Sequence, residues 1–190
     1  MKKIILITGM PGSGKSTAAK IFSDIKVPVV GMGDAVREQM REHGIEINDI
    51  NLRSFSAEMR AKFGPDYVIN LVSSKLDGVL ASNDIVVLDG VRNVAEIDFL
   101  KKAGHETRSI AILTDKEVRY SRMLDRHNES DSDSFSGFEL RDQKELKFGI
   151  SEVISLADRY ILNNSSFDSF KSSLLEVYQQ ELENTQTKNT

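Results

Sequence analysis

The chain has 190 residues, a formal net charge of −4 and no cysteine, with 39% hydrophobic and 28% charged residues. This composition is typical of a water-soluble globular protein with one α/β core, and it excludes a disulfide framework and a cysteine zinc site. The acidic balance argues against a protein that coats nucleic acid. Because its apolar runs are too short to span a bilayer and its N-terminus does not resemble a signal peptide, we expect a cytoplasmic protein.

The first predicted element is a buried strand that leads directly into a glycine-rich loop. Residues 3–8 (KIILIT) are apolar and β-branched, as in a parallel strand that is covered on both faces. The loop reads GMPGSGKST and fits the pattern G-x-x-x-x-G-K-[ST], and the residues after it predict a helix. The loop consists of Gly9, Met10, Pro11, Gly12, Ser13, Gly14, Lys15, Ser16 and Thr17.

A loop of this kind binds phosphate groups. Its glycines let the backbone turn sharply, so that successive N–H groups point inward, and the helix that follows adds unpaired donors and a positive dipole end. Lys15 is expected to reach the β- and γ-phosphates, and the Ser16 hydroxyl to hold Mg²⁺. The sequence therefore predicts ATP and Mg²⁺ as cofactors; the alternative is an ordinary glycine-rich turn.

The rest of the chain alternates between strands and helices. After the loop helix we predict strands at 27–30, 85–89, 108–114 and 160–162, and helices at 35–42, 48–63, 66–80, 94–103, 115–126, 138–156 and 167–180. We expect the polar stretch 129–137 to be a mobile connection and residues 179–190 to be a frayed or disordered tail. The alternation predicts an α/β fold with a parallel five-stranded sheet and helices on both faces.

Three charged residues are expected to lie on the same rim as the loop, because ligands in such sheets sit at the carboxyl ends of the strands. Asp89 ends the strand at 85–89 and is a candidate Mg²⁺ residue; the alternative is an aspartate that starts a turn. Arg92 and Arg37 follow two strands that flank the loop. Guanidinium groups bind phosphate oxygens through paired hydrogen bonds, so both are candidates for holding an acceptor that carries phosphate.

A second group of arginines lies on the helix predicted at 115–126. Arg119, Arg122 and Arg126 have spacings of three and four, so they share one face. We expect Arg119 to belong to a solvated outer surface. Arg122 and Arg126 lead into the stretch 129–137, and Arg141 follows it. Arginines that close over the site from a lid neutralise the transferring phosphoryl group and exclude water; a charged helix surface is the alternative.

These residues resemble motifs of the nucleoside-monophosphate kinase superfamily of P-loop proteins. The loop resembles that of adenylate kinases and dephospho-CoA kinases, and Gly33-Asp34-Ala35-Val36-Arg37 resembles the adenylate kinase G-D-x-x-R that binds the acceptor phosphate. Asp89-Gly90-Val91-Arg92 is similar to their D-G-[FY]-P-R, although the arginine lies one residue closer and no proline precedes it. The resemblance implies that Arg122 lies on adenine and Arg126 on phosphate. A lid without cysteine excludes a zinc-type lid.

The residues 157–164 (ADRYILNN) look more like the A-D-x-V-I-x-N of dephospho-CoA kinases. In those enzymes an acid at the position of Asp34 deprotonates the acceptor hydroxyl, and Asn163 and Asn164 fall where such folds hold adenine. Up to about residue 178, the chain resembles most closely an archaeal family related to adenylate kinases and dephospho-CoA kinases. This implies one three-layer P-loop kinase domain over 1–178, with an acceptor-binding insertion at about 33–80 and a lid at about 127–141.

The sequence thus predicts an ATP- and Mg²⁺-dependent kinase whose acceptor is a small phosphate-bearing molecule, above all a nucleoside monophosphate. Two alternatives stay open: dephospho-CoA kinase activity, with Asp34 as a general base, and a nucleotide switch or slow ATPase that acts on a macromolecule. We expect neither a nucleic-acid partner nor a membrane partner. The oligomeric state does not follow from the sequence.

Overall fold

The computed structural model describes residues 2–125 and 134–187. Its strands are β1 Lys3–Thr8, β2 Val29–Gly31, β3 Ile85–Asp89, β4 Glu106–Leu113 and β5 Arg159–Leu162. Its helices are α1 Lys15–Asp24, α2 Met32–Glu42, α3 Asp49–Phe63, α4 Tyr67–Ala81, α5 Val94–Lys102, α6 Lys116–Asp125, α7 Phe135–Lys147, α8 Ile150–Ser155 and α9 Phe167–Thr187. Within these residues, no helix is both long enough and apolar enough to cross a membrane.

The five strands form one parallel sheet in the order β2-β3-β1-β4-β5. β1 lies at the centre and pairs with β3 on one side and β4 on the other, and all six of its residues are buried. The predicted fold, a parallel five-stranded sheet with helices on both faces, is confirmed.

Side chains alternate along β1 between two hydrophobic cores. Ile4 and Leu6 belong to the core that contains residues of α2, α3, α4, α5 and α8, whereas Ile5 and Ile7 belong to the core that contains residues of α1 and α9. This period of two places the apolar residues of a single strand against helices on both faces. Because each face is covered, the strand ends are the part of the sheet that stays open to a ligand.

The carboxyl ends of β1 and β3 bring distant parts of the sequence together. Ile7 of β1 is the register partner of Asp89 of β3, and the Gly90 N–H donates to the Ile7 carbonyl over 3.2 Å. On the far side of β3, α2 begins at Met32, directly after β2, whereas the sequence analysis began this helix at residue 35. Met32 is buried in the core, so packing extends the helix to the strand.

The region after α6 differs from the predicted helix at 138–156. α7 begins at Phe135, after Ser134, whose hydroxyl accepts the Gly137 N–H. Gly149 then adopts a left-handed conformation and separates α7 from α8, so the predicted single helix is two helices. Of the predicted lid, residues 127–133 lie outside the described residues, and 134–141 form the cap and first turns of α7.

The predicted disordered tail is wrong for residues 179–187, which continue α9. Glu181 is fully buried, and its Oε2 lies 2.8 Å from Nζ of Lys3, which is 1% exposed on β1. Arg108 of β4 lies on the other side, with Nε 3.2 Å from the Glu181 Oε1 atom. The end of α9 is therefore held by a buried ion pair that charge composition alone did not reveal.

Replacing Glu181 with alanine should destabilise the protein strongly. The change leaves the buried Lys3 ammonium with the backbone carbonyl of residue 181 at 3.2 Å and Glu106 at 3.7 Å, and removing one partner of a buried pair costs about 3 kcal/mol or more. Urea unfolding measures this cost. Glu176→Ala on the exposed side of α9 is the control and should change the unfolding free energy by less than about 0.5 kcal/mol. Equal effects of the two substitutions would contradict the role of Glu181.

Candidate functional site

The glycine-rich loop joins β1 to α1 at the centre of the sheet edge. Gly14 precedes the first residue of α1 and has a φ of 108°, a left-handed conformation that side chains other than glycine rarely adopt. A Cβ atom at Gly14 would also collide with Nδ2 of Asn163. Lys15 folds back over the loop, where its Nζ donates to the carbonyls of Gly9 at 2.6 Å and Met10 at 3.1 Å. The loop thus turns sharply into α1, with its lysine held against its own backbone.

The charged surroundings change the pKa of Lys15. Burial, followed by the nearby Arg92 charge, lowers this pKa to about 8, while Glu145 and Asp89 act in the opposite direction. An ammonium that is destabilised in this way gains more from an incoming phosphate than a fully solvated lysine does. The lowered pKa is therefore consistent with a phosphate-binding lysine.

Asp89 and Ser16 fit a Mg²⁺ ion. Asp89 ends β3, and its Oδ1 atom is buried with no hydrogen-bond partner among the described residues. Burial raises the pKa of Asp89, although Lys15 and Arg92 oppose the shift. Ser16 is exposed at the start of α1 and lines the same cleft as Asp89. A free carboxylate oxygen and a hydroxyl are oxygen ligands of the kind that Mg²⁺ takes in phosphate sites.

A cleft of about 320 Å³ lies over the loop and brings most of the predicted site residues together. Four cationic and three acidic side chains line it. They are Lys15, Arg37, Arg92, Arg141, Asp34, Asp89 and Glu145. The structure therefore unites residues from the loop, α2, the end of β3 and α7. Glu145 is the member that the sequence analysis missed.

Arg37 and Arg92 each have a carboxylate partner within the protein. Arg37 pairs with Asp34, one turn earlier on α2, and both are partly exposed. The Nε atom of Arg92 lies 3.3 Å from Oε2 of Glu145, which is buried on α7. Both carboxylates lie where an anionic ligand would meet the guanidinium groups. Binding of a phosphate would replace part of each pair with a charge-assisted contact.

The sequence analysis expected Arg119 to lie on a solvated outer surface, and this expectation is wrong. It is 6% exposed, and its guanidinium forms two hydrogen bonds with Asp142 of α7, at 2.8 and 2.6 Å. The Nη1 atom also donates to the carbonyl of Pro11 in the loop, at 2.9 Å, and the group lies over the ring of Phe138. The expectation failed because helical spacing gives the face that Arg119 shares but not what covers that face.

Arg122, Asn163 and Asn164, which the sequence predicts to bind the nucleotide, do not line the cleft. The Asn163 side chain donates to the Ser13 carbonyl at 2.8 Å, and its backbone N–H donates to the Leu113 carbonyl. Arg122 donates from Nη2 to the Asn163 carbonyl at 2.9 Å. Asn163 thus contacts the loop directly, and Arg122 contacts Asn163. The adenine contacts of these two residues remain a prediction. The Asn164 side chain accepts the Asp115 N–H before α6, and Arg126 lies outside the described residues.

Sequence reasoning missed four charged residues that shape the site: Arg60, Arg119, Asp142 and Glu145. Asp142 and Glu145 follow Arg141 at spacings of one and four, so the α7 pattern contained a signal for Glu145, which shares a helix face with Arg141. The partners of Arg119 and Arg60 lie 23 and 36 residues away, and no local spacing could indicate them.

The fold and the cleft define a P-loop protein with the architecture of nucleoside-monophosphate kinases, which confirms the predicted resemblance. A family model described as an AAA domain matches residues 5–145. Among solved structures, TT1252 from Thermus thermophilus is similar with a TM-score of 0.64 and 19% identity, over 94% of this chain and 97% of that chain. A shikimate kinase from Acinetobacter baumannii in complex with shikimate has a TM-score of 0.58 and 14% identity, over 97% and 94%. At these identities the likeness shows the fold alone.

Relatives at higher identity come from archaea. A UPF0200 protein of Pyrococcus abyssi is 42% identical over 173 residues, which cover 90% of this chain and 92% of that protein. A UPF0200 protein of Methanosarcina barkeri is 37% identical over 185 residues, covering 96% and 98%. The chain therefore belongs to the UPF0200 family and carries the AAA domain that the family model describes.

The Arg119–Asp142 pair should strengthen nucleotide binding through its hold on the loop. The double substitution Arg119→Met, Asp142→Leu removes both buried charges, so the protein should still fold, because apolar replacement of a buried pair is often neutral. The Pro11 carbonyl then loses its donor, and we expect the affinity for a fluorescent ATP analogue to fall about tenfold, as for a lost charged hydrogen bond. Equilibrium titration of the protein with the analogue, in the presence of Mg²⁺, measures this affinity.

The matched control is Glu139→Ala. It breaks the exposed ion pair between Lys116 and Glu139, which joins the same two helices at 2.7 Å. Exposed pairs contribute about 0–1 kcal/mol, so neither stability nor analogue affinity should change much. An unchanged analogue affinity in a folded Arg119→Met, Asp142→Leu protein would show that the loop does not depend on the buried pair.

Proposed function

We propose that the protein is an ATP- and Mg²⁺-dependent phosphotransferase that moves the γ-phosphate to a small phosphate-bearing acceptor, with nucleoside monophosphates as the acceptor class. The observation that carries the proposal is the convergence of the loop, Asp89 and three arginines on a single cleft. A protein that only bound ATP would need the loop. It would not need two further arginines in the same cleft, Arg37 and Arg92, which could hold a second phosphate.

Each cleft residue has a role that its position supports. The loop amides and Lys15 hold the phosphates of ATP, and Ser16 and Asp89 would hold Mg²⁺, which supplies charge neutralisation on the phosphate oxygens when bound. Arg37 and Arg92 orient the acceptor phosphate, and Arg141 approaches from α7. Phosphoryl transfer depends mainly on positioning and charge stabilisation, so this set of residues needs no covalent nucleophile of its own.

The first test measures ADP release from Mg²⁺ and ATP in the presence of AMP, CMP, UMP, GMP, IMP, their deoxy forms and dephospho-CoA. Stimulation of at least tenfold by one or more monophosphates over the acceptor-free rate supports the proposal. ATP hydrolysis that no small acceptor stimulates would contradict it and would favour a nucleotide switch that acts on a macromolecule.

Arg37→Met tests the acceptor side separately from the ATP side. We expect the KM for the monophosphate to rise about ten- to hundredfold, because a charge-assisted contact to phosphate is lost, while the KM for ATP stays within about twofold. Arg41→Met is the matched control: Arg41 lies on the same helix α2, is exposed and does not line the cleft. A parallel rise in both KM values for Arg37→Met would contradict an acceptor role.

Asp34 favours a second candidate, transfer to a hydroxyl group as in dephospho-CoA kinases. Its carboxylate lies in the cleft, is 62% exposed and pairs with Arg37, so it can be reached by an acceptor hydroxyl. A hydroxyl requires a base, whereas a monophosphate is already ionised. Asp34→Asn should therefore reduce kcat about 10²- to 10⁴-fold with a hydroxyl acceptor and much less with a monophosphate. Steady-state kinetics with dephospho-CoA and with the best monophosphate separates the two.

A further inference from the structure

A small inner pocket opens from the cleft on the side of α2 and α3. It measures about 30 Å³ and shares Gly33, Leu52, Gly90 and Arg92 with the cleft. An acceptor whose phosphate lies on Arg37 and Arg92 would therefore extend toward this pocket. Its volume suits one protruding polar group and is too small for a whole ring or a further phosphate.

Arg60 lines the inner pocket, and its guanidinium is incompletely paired. The side chain is 9% exposed, and Nη2 donates to Oε1 of Glu96 at 2.8 Å. The guanidinium also lies over the ring of Phe148, 5.2 Å from its centroid. The Nε and Nη1 atoms are buried and have no hydrogen-bond partner among the described residues. Buried donors without a partner are rare and unfavourable, so a group that accepts from them would be bound specifically.

The charge of Arg60 is already balanced. Glu96 is fully buried, and its second oxygen accepts the N–H groups of Arg92 and Asn93 at 2.8 and 3.2 Å. A second anion in the inner pocket would therefore lie close to the Glu96 carboxylate, and Arg92, which also lines the pocket, is already paired with Glu145. Because arginine can only donate, the free N–H groups of Arg60 require a hydrogen-bond acceptor. Because the charge of Arg60 is balanced by Glu96, the acceptor that fits the pocket is uncharged.

We propose that the inner pocket is a specificity subsite in which Arg60 donates to an uncharged carbonyl-type oxygen of the acceptor. The inference rests on the proposed phosphotransferase function and narrows its acceptor class. Among nucleoside monophosphates it selects bases with a keto group at C4 of a pyrimidine or C6 of a purine, such as UMP and IMP. Their amino counterparts, CMP and AMP, would direct N–H groups at the N–H groups of Arg60 and leave them unpaired.

The kinetic test compares kcat/KM within two pairs of acceptors, UMP against CMP and IMP against AMP. The members of each pair differ chiefly in a keto or an amino group at one ring position. The unaltered protein should favour the keto member about tenfold or more, because each lost hydrogen bond to a charged group has about that effect. Arg60→Lys keeps a charge beside Glu96 but loses the planar fork, and it should reduce the preference below about threefold by slowing the keto member.

Two further variants separate recognition from folding. Arg41→Met on α2 is the control and should keep the full keto preference. Arg60→Met, Glu96→Gln removes both buried charges and keeps an amide side chain at the capping position of α5. If this double variant unfolds at the same urea concentration as the unaltered protein, it should also have lost the keto preference. A folded Arg60 variant that retains the preference would overturn the proposal.

An equilibrium measurement makes the subsite testable apart from turnover. UMP and CMP are titrated calorimetrically into the protein with Mg²⁺ and a non-hydrolysable ATP analogue. Tighter binding of UMP that Arg60→Lys abolishes would support the subsite even if no phosphate were transferred, in which case the proposed function alone would fail. Turnover without a keto preference would overturn the subsite and leave the function standing. Failure of both UMP and CMP to bind would overturn the subsite as well.

Discussion

The candidate site depends above all on the buried contact between Arg119 and Asp142. Through this pair α6 and α7 are joined, and through the Pro11 carbonyl both are joined to the phosphate loop. Asp142 also fixes how α7 is rotated over the cleft. Its neighbour Arg141 and, one turn later, Glu145 face the same cleft as Lys15. A guanidinium that binds a carboxylate through two hydrogen bonds and stacks on Phe138 has little freedom to move. Loop and α7 are thus held in one arrangement.

The positive charges around the cleft are balanced in a consistent way. Arg37 pairs with Asp34, Arg92 with Glu145 and Arg60 with Glu96. A cleft lined with unpaired cations would destabilise the fold through desolvation and mutual repulsion. Carboxylates from the same chain avoid this cost and still leave the guanidinium groups accessible to an anion that binds more strongly. Arg60 differs from the other two because it is buried, so its pair with Glu96 favours a neutral ligand group instead of a phosphate.

The solved structures and the relatives share the fold of this chain, and that shared core is distinct from the residues proposed to bind the acceptor. The two solved structures described above are 19% and 14% identical to the chain and share the architecture across nearly its whole length. The UPF0200 relatives from Pyrococcus abyssi and Methanosarcina barkeri, at 42% and 37% identity, also cover almost the full chain. In the function proposed above, the phosphate loop between β1 and α1 would serve any acceptor, and side chains of α2, α3 and the end of β3 would select it. Substrate identity therefore has to be argued from residues such as Arg37, Asp34 and Arg60.

The sequence by itself determined the alternation of strands and helices, the phosphate loop and the candidate roles of Asp89, Arg37 and Arg92, because these follow from local periodicity and from motifs only a few residues long. It did not reveal that Arg119 is buried, that Gly149 divides a helix or that α9 continues to Thr187. Only the tertiary structure decided these points. The carboxylates that pair with Arg119, Arg60 and Lys3 lie 23, 36 and 178 residues away. Helical spacing states which side chains share a face, but burial and pairing depend on what packs against that face.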